Sequence, residues 1–206
     1  MKGEDVFMKF RTIAIICALL ACSSVGYAGL MHNITVDSAS IQNGDVGWAV
    51  GDTENYTMIV TGKQVQSPGT VSGSFTDAPE DPNIWVYNGF ENDTNYTWTD
   101  YHVVVSMDHP FNLSNAAVDS PTDWTVTPAL TTPAVLNGGL YVGYVDYFAG
   151  TQIPIGGELD FHYKISFTGY SSTNYTQDLF PTPEPGTVML LVCGVLGLLV
   201  VRRRFA

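Results

Sequence analysis

Apolar and polar side chains alternate along much of the chain between residues 29 and 180, with a period of two rather than 3.6. In segment 158–168 the odd-numbered positions are apolar and the even-numbered positions are polar. Such alternation is typical of a β-strand with one buried face and one face in water. The pattern predicts strands at 57–61, 83–87, 101–107, 140–148 and 158–168.

Short clusters of Gly, Asn, Pro and Asp interrupt this alternation and indicate tight turns. No stretch of the same segment sustains a helical stripe, so the middle of the chain is predicted to be all-β. Short strands separated by turns favour an antiparallel β-sandwich that is jelly-roll-like. The turns are predicted at 42–45, 67–69, 88–89, 137–139 and 155–157.

The N-terminal end has the features of a secretion signal. Lys9 and Arg11 precede the apolar run 12–21, and small or polar residues follow up to Ala28. This order predicts a signal helix over residues 1–28, export through the Sec translocon, and cleavage after Ala28 by signal peptidase.

Two alternatives stay open at this end. Residues 19–22 resemble a lipobox, in which Cys22 is lipidated and becomes the new N-terminus of a lipoprotein. Translation could also start at Met8 rather than Met1, because the acidic Glu4 and Asp5 do not fit the basic start of a signal peptide.

The C-terminal end combines a Pro-Glu-Pro tripeptide, fourteen apolar or Gly residues at 188–201, and a basic cluster. As a helix, fourteen residues reach about 21 Å, against about 30 Å for the hydrocarbon core of a bilayer. With residues 186–187 included and the arginines extended to the membrane surface, the segment predicts a transmembrane helix with its basic end in the cytoplasm. A helix buried in the fold is the alternative, and the lack of a polar face disfavours it.

In their order and terminal position, these three features resemble the sorting signal of the PEP-CTERM family of bacterial surface proteins. The resemblance implies recognition by an exosortase, a transpeptidase-like membrane enzyme that would cut near the tripeptide, and an association with exopolysaccharide and biofilm. The two prolines are expected to keep the peptide around Glu184 out of helix and sheet. The residues that carry the resemblance are Pro183, Glu184 and Pro185, then the apolar helix, then Arg202, Arg203 and Arg204.

The predicted organisation is a signal peptide at 1–28, an extracytoplasmic β-sandwich at 29–180 and a sorting signal at 181–206. The middle segment contains seventeen Asp and Glu but only two basic residues, Lys63 and Lys164. This balance disfavours nucleic acid as a partner and is typical of a protein that stays soluble outside the cell. All three cysteines lie at the ends, so the middle segment has no disulfide, thiol nucleophile or cysteine-ligated zinc.

Candidates for catalysis are few. On a strand, Asp100 and His102 would share a face, as a metal pair or a base with its orienting group requires, and Asp108 lies next to His109. His32 and His162 are interpreted as isolated residues. Since the chain has no established catalytic motif, the domain is predicted to be non-enzymatic.

No cofactor is predicted, with calcium as the one alternative, because hard cations take oxygen ligands. Solvated loop charge is the competing explanation for the same residues. The carboxylates that crowd into predicted loops are Asp77, Glu80 and Asp81, and Glu91, Asp93 and Asp100.

Aromatic and Asn residues add two further hypotheses. The four tryptophans are expected to pack in the core or on a sheet face, and a sugar-stacking surface on one or two of them is the alternative. Six Asn-x-Thr/Ser sequences are interpreted as a result of composition, with glycosylation left open. The four tryptophans are Trp48, Trp85, Trp98 and Trp124. The six sequences begin at Asn33, Asn55, Asn92, Asn95, Asn112 and Asn174.

These features together predict an exported surface or matrix protein that an exosortase sorts and that associates with extracellular polysaccharide. A carbohydrate-active enzyme on the same sandwich is one alternative. A protein that stays anchored, by its C-terminal helix or by a lipid on Cys22, is another.

Overall fold

A computed structural model describes residues 30–50, 55–76, 82–127, 132–170 and 172–183. The chain forms thirteen strands within these ranges, and no helix occurs in them. The bounds are β1 Met31–Val36, β2 Ile41–Val50, β3 Asn55–Gln64, β4 Gly69–Thr76, β5 Asn83–Asn92, β6 Trp98–Met107, β7 Asn112–Ser120, β8 Thr125–Thr127, β9 Thr132–Pro133, β10 Val135–Asn137, β11 Leu140–Phe148, β12 Glu158–Ser166 and β13 Ser172–Pro183.

The strands form two sheets that pack face to face. Sheet I has the order β1-β4-β13-β6-β11-β10, with β8 also paired to β11, and sheet II has the order β2-β3-β5-β12-β7-β9. Rings from both sheets meet in the core, where Phe161 of β12 lies 5.2 Å from Tyr101 of β6 and 4.8 Å from Tyr147 of β11, measured between ring centres. The predicted β-sandwich is therefore confirmed. The predicted signal helix and transmembrane helix lie outside the described residues.

The five predicted strands overlap β3, β5, β6, β11 and β12. In each, one set of alternate side chains faces the other sheet, because burial of alternate side chains is what holds a sandwich together. In β12, for instance, Leu159, Phe161, Tyr163 and Ile165 are all fully buried.

One pair of strands departs from the predicted antiparallel arrangement. β3 and β5 are parallel, with Asn55 opposite Asn83 and Gln64 opposite Asn92. The single strand between them, β4, runs back in the other sheet, so β5 re-enters sheet II in the same direction as β3. The expectation of an entirely antiparallel, jelly-roll-like sandwich is wrong at this pair.

The predicted turn at 88–89 is also wrong, because β5 continues through it to Asn92 between two neighbours, β3 and β12. Asn88 is buried, and its Oδ1 accepts a hydrogen bond of 2.8 Å from Gln177 Nε2. Gly89 leaves room for a neighbouring carboxylate, since a Cβ there would lie 2.9 Å from Asp160 Oδ1.

The other predicted turns fall at strand ends, with one exception. The turns at 67–69, 137–139 and 155–157 separate consecutive strands. Residues 42–45 instead belong to β2, where a bulge with Asn43 at a positive φ of 51° interrupts the pairing with β3.

β13 is an inner strand of sheet I, with β4 on one side and β6 on the other. It extends three residues past the predicted domain end at 180, to Pro183, which pairs with Trp98. Prolines were expected to stay out of the sheet. They are tolerated here because β4 begins opposite Leu179, so β13 has a neighbour on one side only beyond that point.

The first and last strands begin at the same end of the sandwich and run in the same direction. Met31 and Ser172 both pair with Thr76 at one end, and β13 finishes beside Trp98 at the other. We refer to the second end as the exit end, because the chain leaves the fold there towards the sorting signal.

A buried polar cluster joins β13 to sheet II. The hydroxyls of Tyr163 and Tyr175 each donate to Gln177 Oε1 at 2.6 Å, and Gln177 Nε2 donates to Asn88. Burial raises the pKa of both tyrosines, so both hydroxyls keep their protons and act as donors. All four side chains lie in the interior, where unpaired polar groups are costly.

Gln177→Ala is expected to lower the free energy of unfolding by about 3 kcal/mol, because the two buried hydroxyls lose their shared acceptor and keep only each other, 3.0 Å apart, and the Asn88 carbonyl loses its donor. Urea denaturation of the variant and of Gln152→Ala, at an exposed position, measures the difference. A loss below about 1 kcal/mol would show that the cluster does not hold the two sheets together.

Candidate functional site

The sorting motif joins the fold at the exit end. Three hydrogen bonds hold the final residues of β13: Gln64 Nε2 donates to the Leu179 carbonyl at 3.0 Å, Tyr96 Oη to the Pro181 carbonyl at 3.1 Å, and Thr99 Oγ1 to the Thr182 carbonyl at 3.4 Å. Burial raises the pKa of Tyr96, which keeps its hydroxyl protonated as a donor. The last strand is thus fixed to its neighbours almost to its final residue.

Of the predicted topogenic residues, the structure describes only Pro183. The residues outside the described ranges are Ala28, Cys22, Glu184, Pro185, Arg202, Arg203 and Arg204. In the part that is described, no helix has the length and hydropathy needed to cross a membrane.

A group of aromatic and charged side chains lies on the outer face of sheet II. Trp85 and Tyr87 are two residues apart on β5, with ring centres 6.3 Å apart and planes within 25° of parallel. The His162 ring of β12 lies 5.7 Å from Trp85 and 5.1 Å from Tyr87. Lys164 Nζ is 6.0 Å from the Trp85 ring centre. We call Trp85, Tyr87, His162 and Lys164 the aromatic surface.

Strand alternation and register build this surface. Ile84 and Val86 point into the core, so the residues that follow each of them, Trp85 and Tyr87, point outwards. Pairing of β5 with β12 then places His162 opposite Tyr87 and Lys164 opposite Trp85. Tyr87 keeps 38% of its surface exposed.

Carboxylates surround the aromatic surface. The carboxylate of Asp119 on β7 lies beside the His162 ring, with Asp119 Oδ2 2.8 Å from His162 Nδ1. Burial raises the pKa of Asp160 to about 6, and the negative charges of Glu158 and Asp119 add to the effect. Burial, together with the charge of Asp119, also raises the pKa of Tyr87. The arrangement offers ring faces and hydrogen-bond acceptors to a ligand, and its charge disfavours an anionic one.

The raised pKa of Asp160 gives a prediction for stability. Below pH 3.8, its ordinary pKa, Asp160 is protonated in both the folded and the unfolded chain. Between pH 3.8 and about pH 6 it ionises only in the unfolded chain, so its contribution to the stability of the fold becomes less favourable as the pH rises. Asp160→Asn is therefore expected to stabilise the protein by about 1–2 kcal/mol at pH 7, a value reduced for partial solvent screening. The gain should disappear near pH 4.

Urea denaturation at pH 4 and pH 7 measures this difference, with Asp93→Asn, an exposed carboxylate, as the control. A variant that is no more stable than the parent chain at pH 7 would contradict the burial penalty assigned to Asp160.

The histidine pairs differ from those that the sequence suggested. His102 Nδ1 lies 2.7 Å from Asp146 Oδ1 on the neighbouring strand, and no hydrogen bond joins it to Asp100 in the described structure. His109 stacks on Tyr170 with ring centres 3.9 Å apart, and its Nε2 is 4.0 Å from Asp108 Oδ1. Both histidines belong to partly exposed surface pairs.

The calcium candidates are not brought together within the described residues. The first set, Asp77, Glu80 and Asp81, lies outside those ranges. In the second set, Glu91 accepts a 2.6 Å hydrogen bond from Lys63. No group of three or more His, Cys, Asp or Glu able to hold a metal occurs in the described part of the chain.

The tryptophans divide into two classes. Trp98 and Trp124 are buried, as the packing interpretation predicts, and Trp48 stacks on His32 with ring centres 4.1 Å apart. Burial lowers the pKa of that histidine. Trp85 lies in the aromatic surface, between Tyr87, His162 and Lys164.

Among the Asn-x-Thr/Ser sequences, Asn92 has a structural role. It is fully buried, and its Nδ2 donates to the carbonyls of Tyr96 and Ile153 at 2.9 Å each. Its Oδ1 accepts from Thr94, whose hydroxyl in turn accepts from Trp98 Nε1. Asn92 therefore fixes the loop before β6 and is not accessible to a glycan in the folded protein. Asn33 and Asn95 are exposed.

Comparison with known proteins identifies the C-terminal segment. Residues 181–204 match the family model of the PEP-CTERM protein-sorting motif. Such a motif marks a protein that is exported and sorted to the surface by an exosortase. No curated protein and no solved structure matches the chain.

Proposed function

We propose that this chain, which carries a PEP-CTERM sorting motif at residues 181–204, is an exported precursor that an exosortase processes into a non-catalytic protein of the cell surface or extracellular matrix. The observation that carries the proposal is the motif itself, which begins in the last strand of a folded β-sandwich. Export through the Sec translocon, removal of residues 1–28 by signal peptidase and a membrane-tethered stage before sorting belong to the same proposal. Lipidation at Cys22 would replace cleavage after Ala28.

We further propose that the mature domain associates with extracellular polysaccharide through the aromatic surface. Sugar rings present C–H groups that pack on aromatic faces, and their hydroxyls need acceptors and donors beside those faces. Trp85 and Tyr87 supply the rings, and Asp119 and His162 supply the polar groups. The acidic surroundings favour a neutral or amino-bearing polysaccharide over one rich in uronate, sulfate or phosphate.

Trp85→Ala is expected to weaken polysaccharide binding by at least about tenfold, because loss of one stacking ring commonly costs more than 1.4 kcal/mol. Affinity electrophoresis of the domain 30–183 in gels that contain neutral, amino-bearing or uronate-rich polysaccharide measures binding. His102→Ala, on the outer face of sheet I, is the matched control. If the polysaccharide retards both variants equally, the aromatic surface is not the binding site.

A carbohydrate-active enzyme is the second candidate, and Asp160 is the observation that favours it. A carboxyl group with a pKa of about 6 beside a second carboxylate is the pattern of a general acid. The same polysaccharides, incubated with the domain and analysed for new reducing ends, separate the two functions. If the domain hydrolyses a polysaccharide and Asp160→Asn abolishes this turnover, the domain is an enzyme rather than a binding protein.

A further inference from the structure

The sorting motif and the folded domain share residues. The matched motif begins at residue 181, whereas β13 ends at Pro183, so three residues belong to both. Pro181 is buried, and Pro183 pairs with Trp98. Thr182 makes two hydrogen bonds to β6, because its carbonyl accepts from Thr99 Oγ1 and its own Oγ1 donates to the Asp100 carbonyl, both at 3.4 Å. The N-terminal part of the motif is therefore already occupied by contacts within the fold.

An enzyme that cuts a peptide bond binds the residues on both sides of it as an extended strand, through their backbone groups. In residues 181–183 one edge of the backbone is already paired with β6, and the Pro181 carbonyl is bonded to Tyr96. An enzyme could use these residues only after they separate from β6, which requires local unfolding at the exit end.

We infer that the fold itself limits where the exosortase cuts, so that the broken bond lies after Glu184 and the mature protein keeps Pro183 and Glu184. This inference rests on the proposed processing. In the reaction one C–N peptide bond breaks, the carbonyl carbon of the new C-terminus passes to water or to an amine acceptor, and the nitrogen of the next residue leaves with a proton. Tyr96 and Thr99 act as positioning residues, because they hold the strand and do not touch the reacting bond.

The position of the cut is read from the intact mass of the full-length protein after processing in cells that contain an exosortase. A C-terminal residue at Glu184 or later supports the inference. A C-terminal residue at Pro183 or earlier overturns it, because the broken bond would then directly follow a residue that is held in the sheet.

An insertion tests whether the sheet contacts limit the rate. Gly-Ser-Gly-Ser placed between Thr182 and Pro183 keeps the Pro-Glu-Pro tripeptide but separates it from Trp98. Pulse-chase labelling should then show processing at least about tenfold faster, since Pro183, which directly precedes the residue at the cut, no longer has to separate from Trp98 before the enzyme binds it. The same insertion between Gly138 and Gly139, at an open turn on the opposite end of the sandwich, is the control. Equal rates for the parent chain and the Thr182–Pro183 insertion would overturn the role of the contacts.

Failure of the inference and failure of the proposed function look different in these experiments. If no C-terminal segment is removed from any variant, the proposed processing is wrong and the inference falls with it. If the segment is removed by a cut at or before Pro183, the processing stands and only the inference is wrong.

Discussion

A fragment that ends at residue 171, before β13, is expected not to fold, whereas a fragment that ends at residue 183 is expected to unfold in one cooperative transition. β13 forms eight register pairs with β4 and nine with β6, and it contributes the buried side chains of Tyr175, Gln177 and Leu179. Burial of two large side chains such as Tyr175 and Leu179 alone is worth about 3–6 kcal/mol. Since a domain of this size is stable by about 5–15 kcal/mol, loss of the whole strand leaves no stable fold.

Circular dichroism and urea denaturation of the two fragments measure this effect. A third fragment that ends at residue 180 should fold but be less stable by about 1–3 kcal/mol, because it lacks the buried Pro181 and the bond from Tyr96. If the fragment without β13 were as stable as the longest one, β13 would not be the inner strand of sheet I.

Replacement of Glu184 and Pro185 by alanine is expected to reduce release of the protein from the membrane to background. These two residues belong to the tripeptide but lie after Pro183, so the change leaves the described part of β13 intact. Fractionation of cells into membrane and extracellular material, followed by immunoblotting, measures release.

Thr187→Ala is the matched control, since it lies between the tripeptide and the apolar segment. The control should be released like the parent chain. Release of the Glu184→Ala/Pro185→Ala variant at the parent level would mean that the tripeptide does not direct sorting.

The sequence pattern predicted those parts of the fold where local periodicity and burial agree. β12 is the clearest case, because its apolar positions alternate without interruption and all of them are buried. Asn88 and Gly89 show the opposite case. A pair that usually indicates a turn lies inside β5, because Asn88 bonds to Gln177 eighty-nine residues away and Gly89 makes room for Asp160.

The aromatic surface could be predicted in full only from the pairing of strands that are far apart in the chain. Alternation in segment 83–87 already places Trp85 and Tyr87 on one face, and alternation in β12 places His162 on its wet face. No local pattern shows the register that places His162 opposite Tyr87. No local pattern shows either that β7 lies next to β12 and supplies Asp119. For the same reason the sequence does not indicate Asp119 as the partner of His162, and it suggests Asp100 rather than Asp146 for His102.

The sorting signal was predictable because its features follow one another directly in the sequence. Its connection to the fold was not, since the prolines at 181 and 183 usually indicate a break in a sheet. They are accommodated because β4 begins opposite Leu179 and leaves one side of β13 open.

The most direct test is the intact mass of the protein recovered from outside the cell, compared between cells that have an exosortase and cells from which its gene has been deleted. With the enzyme present, the recovered protein should lack the apolar segment 188–201 and Arg202, Arg203 and Arg204. Without the enzyme, the uncut protein should remain in the membrane fraction. An extracellular protein that still ends at Ala206, or that loses its C-terminal segment equally in both strains, would contradict exosortase sorting.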